Sequence, residues 1–360
     1  MDAIIPEFVA AFIKELAYPA LSQPQMPVHT IFLGGGTPSL LTPEQYQQIF
    51  AAIHEHYAVA PAAEISLEAN PNDLSLDYLA GLRAAGFNRL SIGMQSAIEQ
   101  ELRLYNRRHD GAMVAAAVDM AKAAGFNNIS LDLIYGTPHQ TLPDWEMTLA
   151  TAIGYQPQHI SLYGLELKGG TPLTKDVKMG KLPQPDDDLA ADMYDMATEK
   201  LAQAGFEQYE ISNWCLPGFA AQHNLQYWHN LPYLGFGPGA HGYAGGCRTI
   251  VMRLPQRYIA ALQDQNEKKI IFPRTPATSK ITRVTREADI AETIMMGLRL
   301  TKEGIQRAVF AARFGVDMLD LHRPTIEKFV NYGLLEVTPN LIRLTQAGRL
   351  VSNAVIREMI

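Results

Sequence analysis

Five places along the chain combine an apolar run with a polar residue at its end. They are Gly34-Gly35-Gly36-Thr37, Glu68 with Asn70, Gln95 with Ser96, Asp132 with Tyr135, and Glu166. A charged or amide group at nearly every such exit points to one shared pocket; ordinary strand-end turns are the plain alternative. Three glycines after a strand leave bare backbone, so N–H and C=O groups can approach a ligand closely and a carbonyl can accept from an ammonium. The turn is not a polyphosphate cradle, because no lysine follows the glycines, and it does not match the dinucleotide fingerprint. A tight strand-to-helix turn accounts for the glycines equally well.

The stretch 222–243, QHNLQYWHNLPYLGFGPGAHGY, is the second concentration of chemistry. It sets His223, His229 and His241 beside Tyr227, Trp228, Tyr233, Phe236 and Tyr243. Imidazole suits iron, and flat aromatic side chains suit a porphyrin face. A packed loop whose histidines satisfy backbone groups is the alternative.

The elements that must hold these residues alternate. Strand-like runs at 28–34, 63–69, 88–94, 127–136 and 158–167 are separated by helix-like stretches at 42–57, 75–85, 97–104, 111–124 and 143–153. That rhythm is the signature of repeated βα units with parallel strands. Ligands in such folds bind at the C-terminal strand ends, where the polar residues fall. RAAGFNR, KAAGFNN and AQAGFEQ each end a helix with a glycine cap before the next strand. The third predicts a sixth strand at 207–212 after a helix over 187–203. Thr42-Pro43-Glu44 reads as a helix start. The fold class is therefore α/β, and the stretch after 213, rich in Gly, Pro, His and aromatics, reads as a structured loop system. Residues 264–285, polar and with two prolines, read as a linker between a first unit (1–263) and a mainly helical, winged-helix-like module (286–360).

The chain has 360 residues, 47% of them hydrophobic, which is ample for two cores. A net charge of -7 disfavours a nucleic-acid surface, and the C-terminal module shows no basic recognition face, so no nucleic-acid partner is expected. No membrane-spanning run or secretory signal is evident, so a cytoplasmic location is expected, with any membrane contact through a partner only. Cys215 and Cys247 are the two cysteines, too few for a disulfide framework or for three thiolates.

Taken in order, IFLGGGTPSLL, EISLEANPNDL, GFNRLSIGMQS, RRH at 107–109, NISLDLIYGTP, QHNLQYW and GFGPGAHG resemble one family along nearly the whole chain. It is the radical S-adenosylmethionine family of oxygen-independent coproporphyrinogen III oxidase-like proteins, and the likeness is strongest to its shorter, heme-chaperone branch. The resemblance implies an incomplete parallel (β/α)6-type partial barrel. It also implies that Gly34, Gly35, Gly36, Thr37, Glu68, Gln95, Arg107 and Asp132 contact S-adenosylmethionine. Arg107 would pair with the carboxylate and Asp132 with the ribose, while Glu68 or the glycine carbonyls would take the ammonium or a hydroxyl. An acidic, lysine-free set of strand exits suits a small zwitterionic nucleoside better than a polyphosphate. His223, Tyr227 and Trp228 match the family's His-Asn-x-x-Tyr-Trp pattern and, with His229 and His241, are candidates for heme or tetrapyrrole contact.

The same resemblance implies a [4Fe–4S] cluster on a Cys-x-x-x-Cys-x-x-Cys loop after a leading strand. Neither is present in this sequence, which reads as a shortened form of a longer protein and, as it stands, as inactive in radical chemistry. Three functions remain open: a chaperone passing heme to a heme-accepting protein, with an electron donor where a cluster is carried; an oxidase forming protoporphyrinogen IX; or a cluster-less binding scaffold.

Overall fold

The computed structural model describes residues 4–263 and 271–360. Seven strands form the main sheet: β1 (Met26–Leu33), β2 (Tyr57–Ala69), β3 (Arg89–Gln95), β4 (Ile129–Tyr135), β5 (His159–Gly164), β6 (Glu207–Glu210) and β7 (Asn213–Cys215). Their order is β1-β2-β3-β4-β5-β7-β6, and the first five run parallel. The sheet curls into the expected partial barrel. β1 is an edge strand among the described residues. The predicted sixth strand is shorter than expected and does not lie beside the fifth. The chain reverses at Ile211-Ser212, and β7 inserts antiparallel between β5 and β6.

Helices α1 (Ile5–Ser22), α2 (Pro43–His56), α3 (Leu76–Ala85), α4 (Glu99–Leu104), α5 (Gly111–Ala123), α6 (Leu142–Gly154), α7 (Pro172–Lys178) and α8 (Asp187–Gln203) accompany the sheet. The starts are locally encoded. Thr42 with Gln45 and Thr141 with Asp144 form capping boxes, and Ser75, Asp110 and Asp186 cap three other helices. The ends of α3, α5 and α8 share one device. Gly86, Gly125 and Gly205 adopt left-handed backbone, and Phe87, Phe126 and Phe206 close the turn by donating five residues back and burying their rings.

The period-two pattern of the strands divides the sheet into two unlike faces. Ile65, Leu67, Leu90, Ile92, Leu131 and Ile160 are buried in one core with Phe50, Val118 and Trp145 from the covering helices. Each such side chain, fully buried, contributes about 1.5–3 kcal/mol. The alternate residues, Glu64, Ser66, Glu68, Arg89, Ser91, Ser130, Asp132, His159 and Ser161, lie on the concave face. A half-polar sheet is stable here because the outer face alone supplies the core.

The stretch after 213, expected to lack regular structure, contains α9 (Gln222–Trp228), β8 (His241–Ala244), β9 (Cys247–Val251) and α10 (Pro255–Gln263). Of the residues read as a linker, 264–270 lie outside the described residues and Thr278–Arg283 form β10, paired antiparallel with β9. Glu15 of α1 ties this region to the barrel. Fully buried, its carboxylate accepts from Gly237 N (2.8 Å), Tyr258 Oη (2.8 Å) and Thr275 Oγ1 (2.7 Å).

The C-terminal unit contains α11 (Arg286–Gly297), β11 (Ile305–Gln306), α12 (Arg307–Phe314), α13 (Met318–Leu321) and α14 (Arg323–Asn331), then β12 (Leu335–Val337), β13 (Leu341–Leu344), α15 (Gln346–Leu350) and α16 (Ser352–Arg357). It has its own core, including Ile294, Phe310, Ile326 and Ile342. Asp289 Oδ1 receives Asn230 (3.1 Å), Tyr243 (3.0 Å) and Arg313 (2.7 Å), joining this unit to the small sheet.

Candidate functional site

Parallel pairing brings the C-terminal ends of β1 to β4 to one edge, and with them most of the strand-end residues singled out in the sequence. Gly34–Thr37 follow β1, Glu68 lies on β2, Gln95 ends β3 and Asp132 lies on β4. Gly35 donates its N–H to Glu68 Oε2 at 3.3 Å, joining the first two. A Cβ on Gly34 would sit 2.4 Å from the Phe32 ring and 2.9 Å from Glu68 Oε2, so only glycine fits that position as it stands. Gly35 and Gly36 have φ of +75° and +63° and face open space. Gln95 is buried with φ +67°, a conformation that strains a residue with a side chain.

Ser91 of β3 stands between the two acids. It pairs in register with Glu68 and donates to both oxygens of Asp132 at 3.1 Å. Burial pushes the Asp132 carboxyl up to about 6; the Glu68 charge adds to this, while Ser161, Ser91 and Arg89 oppose it. Desolvation likewise raises Glu68, although its side chain opens onto the concave face, and the Gly35 N–H partly offsets the effect. Arg107 lies beside them and donates to Asn70 Oδ1 at 3.2 Å. Burial lowers its pKa against the pull of Asp132. Among the described residues none of Glu68, Asp132 and Arg107 takes part in an ion pair. Unpaired charges of both signs, partly desolvated at one sheet edge, form a receptor for a ligand carrying both signs.

The histidine and aromatic candidates divide into separate groups. His223 and Tyr227 turn toward the concave face. His223 stacks on Phe32 at 5.1 Å, bonds Thr30 Oγ1 through Nδ1 (2.8 Å) and meets Tyr227 Oη through Nε2 (2.8 Å). Both ring nitrogens are thus engaged, and burial lowers the His223 pKa to about 4, leaving it neutral. Glu64 of β2 holds the start of α9 by accepting from the Gln222 and His223 N–H groups. Trp228 and His229 instead meet the C-terminal unit: Arg299 lies over the indole and Glu303 accepts at 3.0 Å from His229 Nε2. His241 is exposed at the start of β8.

Phe32, Ser91, Ser161 and Tyr163 belong to the concave site but were not found from sequence. Tyr163 follows Ser161 by two residues on β5, and its hydroxyl pKa is raised by burial and by the acids Asp132, Glu210 and Glu68. Its signal was the in-out alternation of β5. Glu166 lies beyond the end of β5 and is paired loosely with Lys168 at 3.9 Å on the surface.

The sequence matches the family model of the radical SAM superfamily over residues 12–152 and that of the HemN C-terminal domain over 284–351. Coproporphyrinogen III oxidase (HemN) from Escherichia coli shares the fold, with a TM-score of 0.81 at 23% identity, over 98% of this chain and 82% of that one. Fold and matches define a radical SAM protein. More particularly, the chain belongs to the family of the heme chaperone HemW. It is 36% identical to HemW of Mycobacterium tuberculosis over 96% of this chain and 84% of that protein. Against HemW of Bacillus subtilis it is 34% identical, over 98% and 90%.

The superfamily implies S-adenosylmethionine and a [4Fe–4S] cluster. The unpaired set Glu68, Asp132 and Arg107 fits the former, which carries cationic and carboxylate groups. The described residues gather no three thiolates that would hold the cluster. Cys215 is buried on β7, Cys247 lies on a different sheet, and both are free. Among the described residues no three His, Cys, Asp or Glu gather as metal ligands. No helix among them is long and apolar enough to cross a membrane.

Proposed function

We propose that the chain is a heme chaperone that holds S-adenosylmethionine at the ends of β1 to β4, binds heme against α9, and passes it to a heme-accepting protein. The carrying observation is the convergence of two acids and an arginine, all without ion-pair partners among the described residues, beside a glycine turn. Arg107 would orient the carboxylate of the ligand, Glu68 and the Gly34–Thr37 backbone its ammonium, and Asp132 its ribose hydroxyls. Gln95 would complete the contacts as donor and acceptor. The bound group would supply a sulfonium cation, which two neighbouring carboxylates stabilise. His223, Tyr227 and Phe32 would supply the flat, partly apolar wall for heme. The polar concave face favours this reading: a barrel used only as a scaffold has no need of uncompensated charge there. Where a cluster is carried, an electron donor would be a further partner.

Calorimetry with S-adenosylmethionine and Soret titration with hemin test the two halves, followed by transfer to an apo-hemoprotein. Binding of both ligands and transfer are expected. Conversion of coproporphyrinogen III under anaerobic, reducing conditions would replace this reading with the oxidase; binding of neither ligand would end it.

A further inference from the structure

Arg107 is anchored through three loops, and the anchor has its own centre. Its Nη1 donates to Asn70 Oδ1 at 3.2 Å. The amide of Asn70 donates in turn to Asp73 Oδ2 at 3.0 Å. Ser39, two residues past the glycine turn, donates to the same Asp73 oxygen at 3.0 Å. Asn72 fills the other oxygen at 2.8 Å. Asp73 thus fastens the turn after β1, the turn after β2 and the arginine that follows α4. It takes part in no ion pair among the described residues and faces hydroxyl and amide donors only.

The direction of these bonds has a consequence for Arg107. An Asn side chain has one acceptor and one donor end, and they cannot be exchanged without losing both partners. The Asp73 carboxylate accepts only, so it requires the NH2 end of Asn70. The carbonyl end is then turned to the guanidinium. The remaining N–H groups of the fork have no carboxylate partner among the described residues and stay available in one plane. We propose that Asp73 is the positioning residue that sets Arg107 for a ligand carboxylate and so selects nucleosides that retain their amino-acid part. This rests on the reading that the strand ends take S-adenosylmethionine.

The test compares two probes on the full chain: S-adenosylhomocysteine, which keeps the amino-acid part, and 5′-methylthioadenosine, which lacks it. Asp73→Ala should weaken the first roughly three- to tenfold, the worth of one ordinary hydrogen bond lost through a misplaced guanidinium, and leave the second unchanged. Asn70→Ala should reproduce this selectivity, and Asp73→Asn, which keeps an acceptor in place, should restore much of it. In an Arg107→Ala background, Asp73→Ala should have no further effect. Equal weakening of both probes, or an undiminished Asp73 effect without Arg107, overturns the positioning role alone. Failure of the unmutated chain to bind either probe overturns the nucleoside reading and this role together.

Discussion

The hydroxyl of Ser91 sits 3.1 Å from each carboxylate oxygen of Asp132, one strand away, yet Asp132 still titrates near 6 rather than 3.8. Burial and the Glu68 charge outweigh the hydroxyls that favour its ionised form. A raised carboxyl takes up a proton more readily in the folded state than in the unfolded one. Its ionisation therefore costs stability above about pH 6, and the cost is relieved as pH falls through about 6 toward 4. Asp132→Asn is expected to stabilise the protein by about 1–3 kcal/mol near pH 8, with the gain vanishing below about pH 4. Urea denaturation at both pH values checks this. The same variant should weaken nucleoside binding, and the unmutated chain should bind less well as Asp132 protonates.

Gly34→Ala and Gly36→Ala should separate crowding from backbone strain. The first places a Cβ against Phe32 and Glu68 and should impair binding of both nucleoside and heme. The second meets open space but must adopt φ +63°, at a cost of about 1–2 kcal/mol in stability, with little loss of Phe32 or Glu68 geometry. Calorimetric binding beside a thermal melt distinguishes them.

For heme, the engaged ring of His223 gives a directional expectation. Coordination through Nε2 must first break the bond to Tyr227. Tyr227→Phe removes a competing bond of about 0.5–1.5 kcal/mol and should tighten heme binding by roughly two- to tenfold. His223→Ala should abolish the shifted Soret band; a band that survives it places the axial ligand elsewhere.

Glu15 should be a point of fragility. Glu15→Ala leaves the Gly237 amide and the Tyr258 and Thr275 hydroxyls without their shared acceptor in a buried setting. A loss of about 2–4 kcal/mol is expected. Hydrogen exchange should show the damage concentrated in α1, α10 and the backbone around Gly237.

The strand ends were legible because polar residues interrupt apolar runs at the parallel βα rhythm, which is why Glu68, Gln95 and Asp132 were found. Arg107 came from family resemblance, since nothing in a loop arginine reveals its neighbour. Ser91 and Tyr163 were missed because a serine or tyrosine inside a strand does not stand out as a charged group does; only the in-out alternation sets them on the concave face. β7 was missed because three residues carry no period. The histidine cluster shows a different limit. His223 and Tyr227, four apart on α9, share one face, while Trp228 and His229 lie around the helix from them. Nearness in sequence therefore placed side chains in one group that the helix sends to two surfaces.

The helix that separates them is fastened at both ends. Glu64 and Thr30 grip it at His223, and Asp289, Thr293 and Glu303 grip it at Asn230 and His229. Were heme to draw the His223 imidazole off Thr30, as the proposed function requires, the pull would reach Asp289 and Glu303 of the C-terminal unit through barely two helical turns.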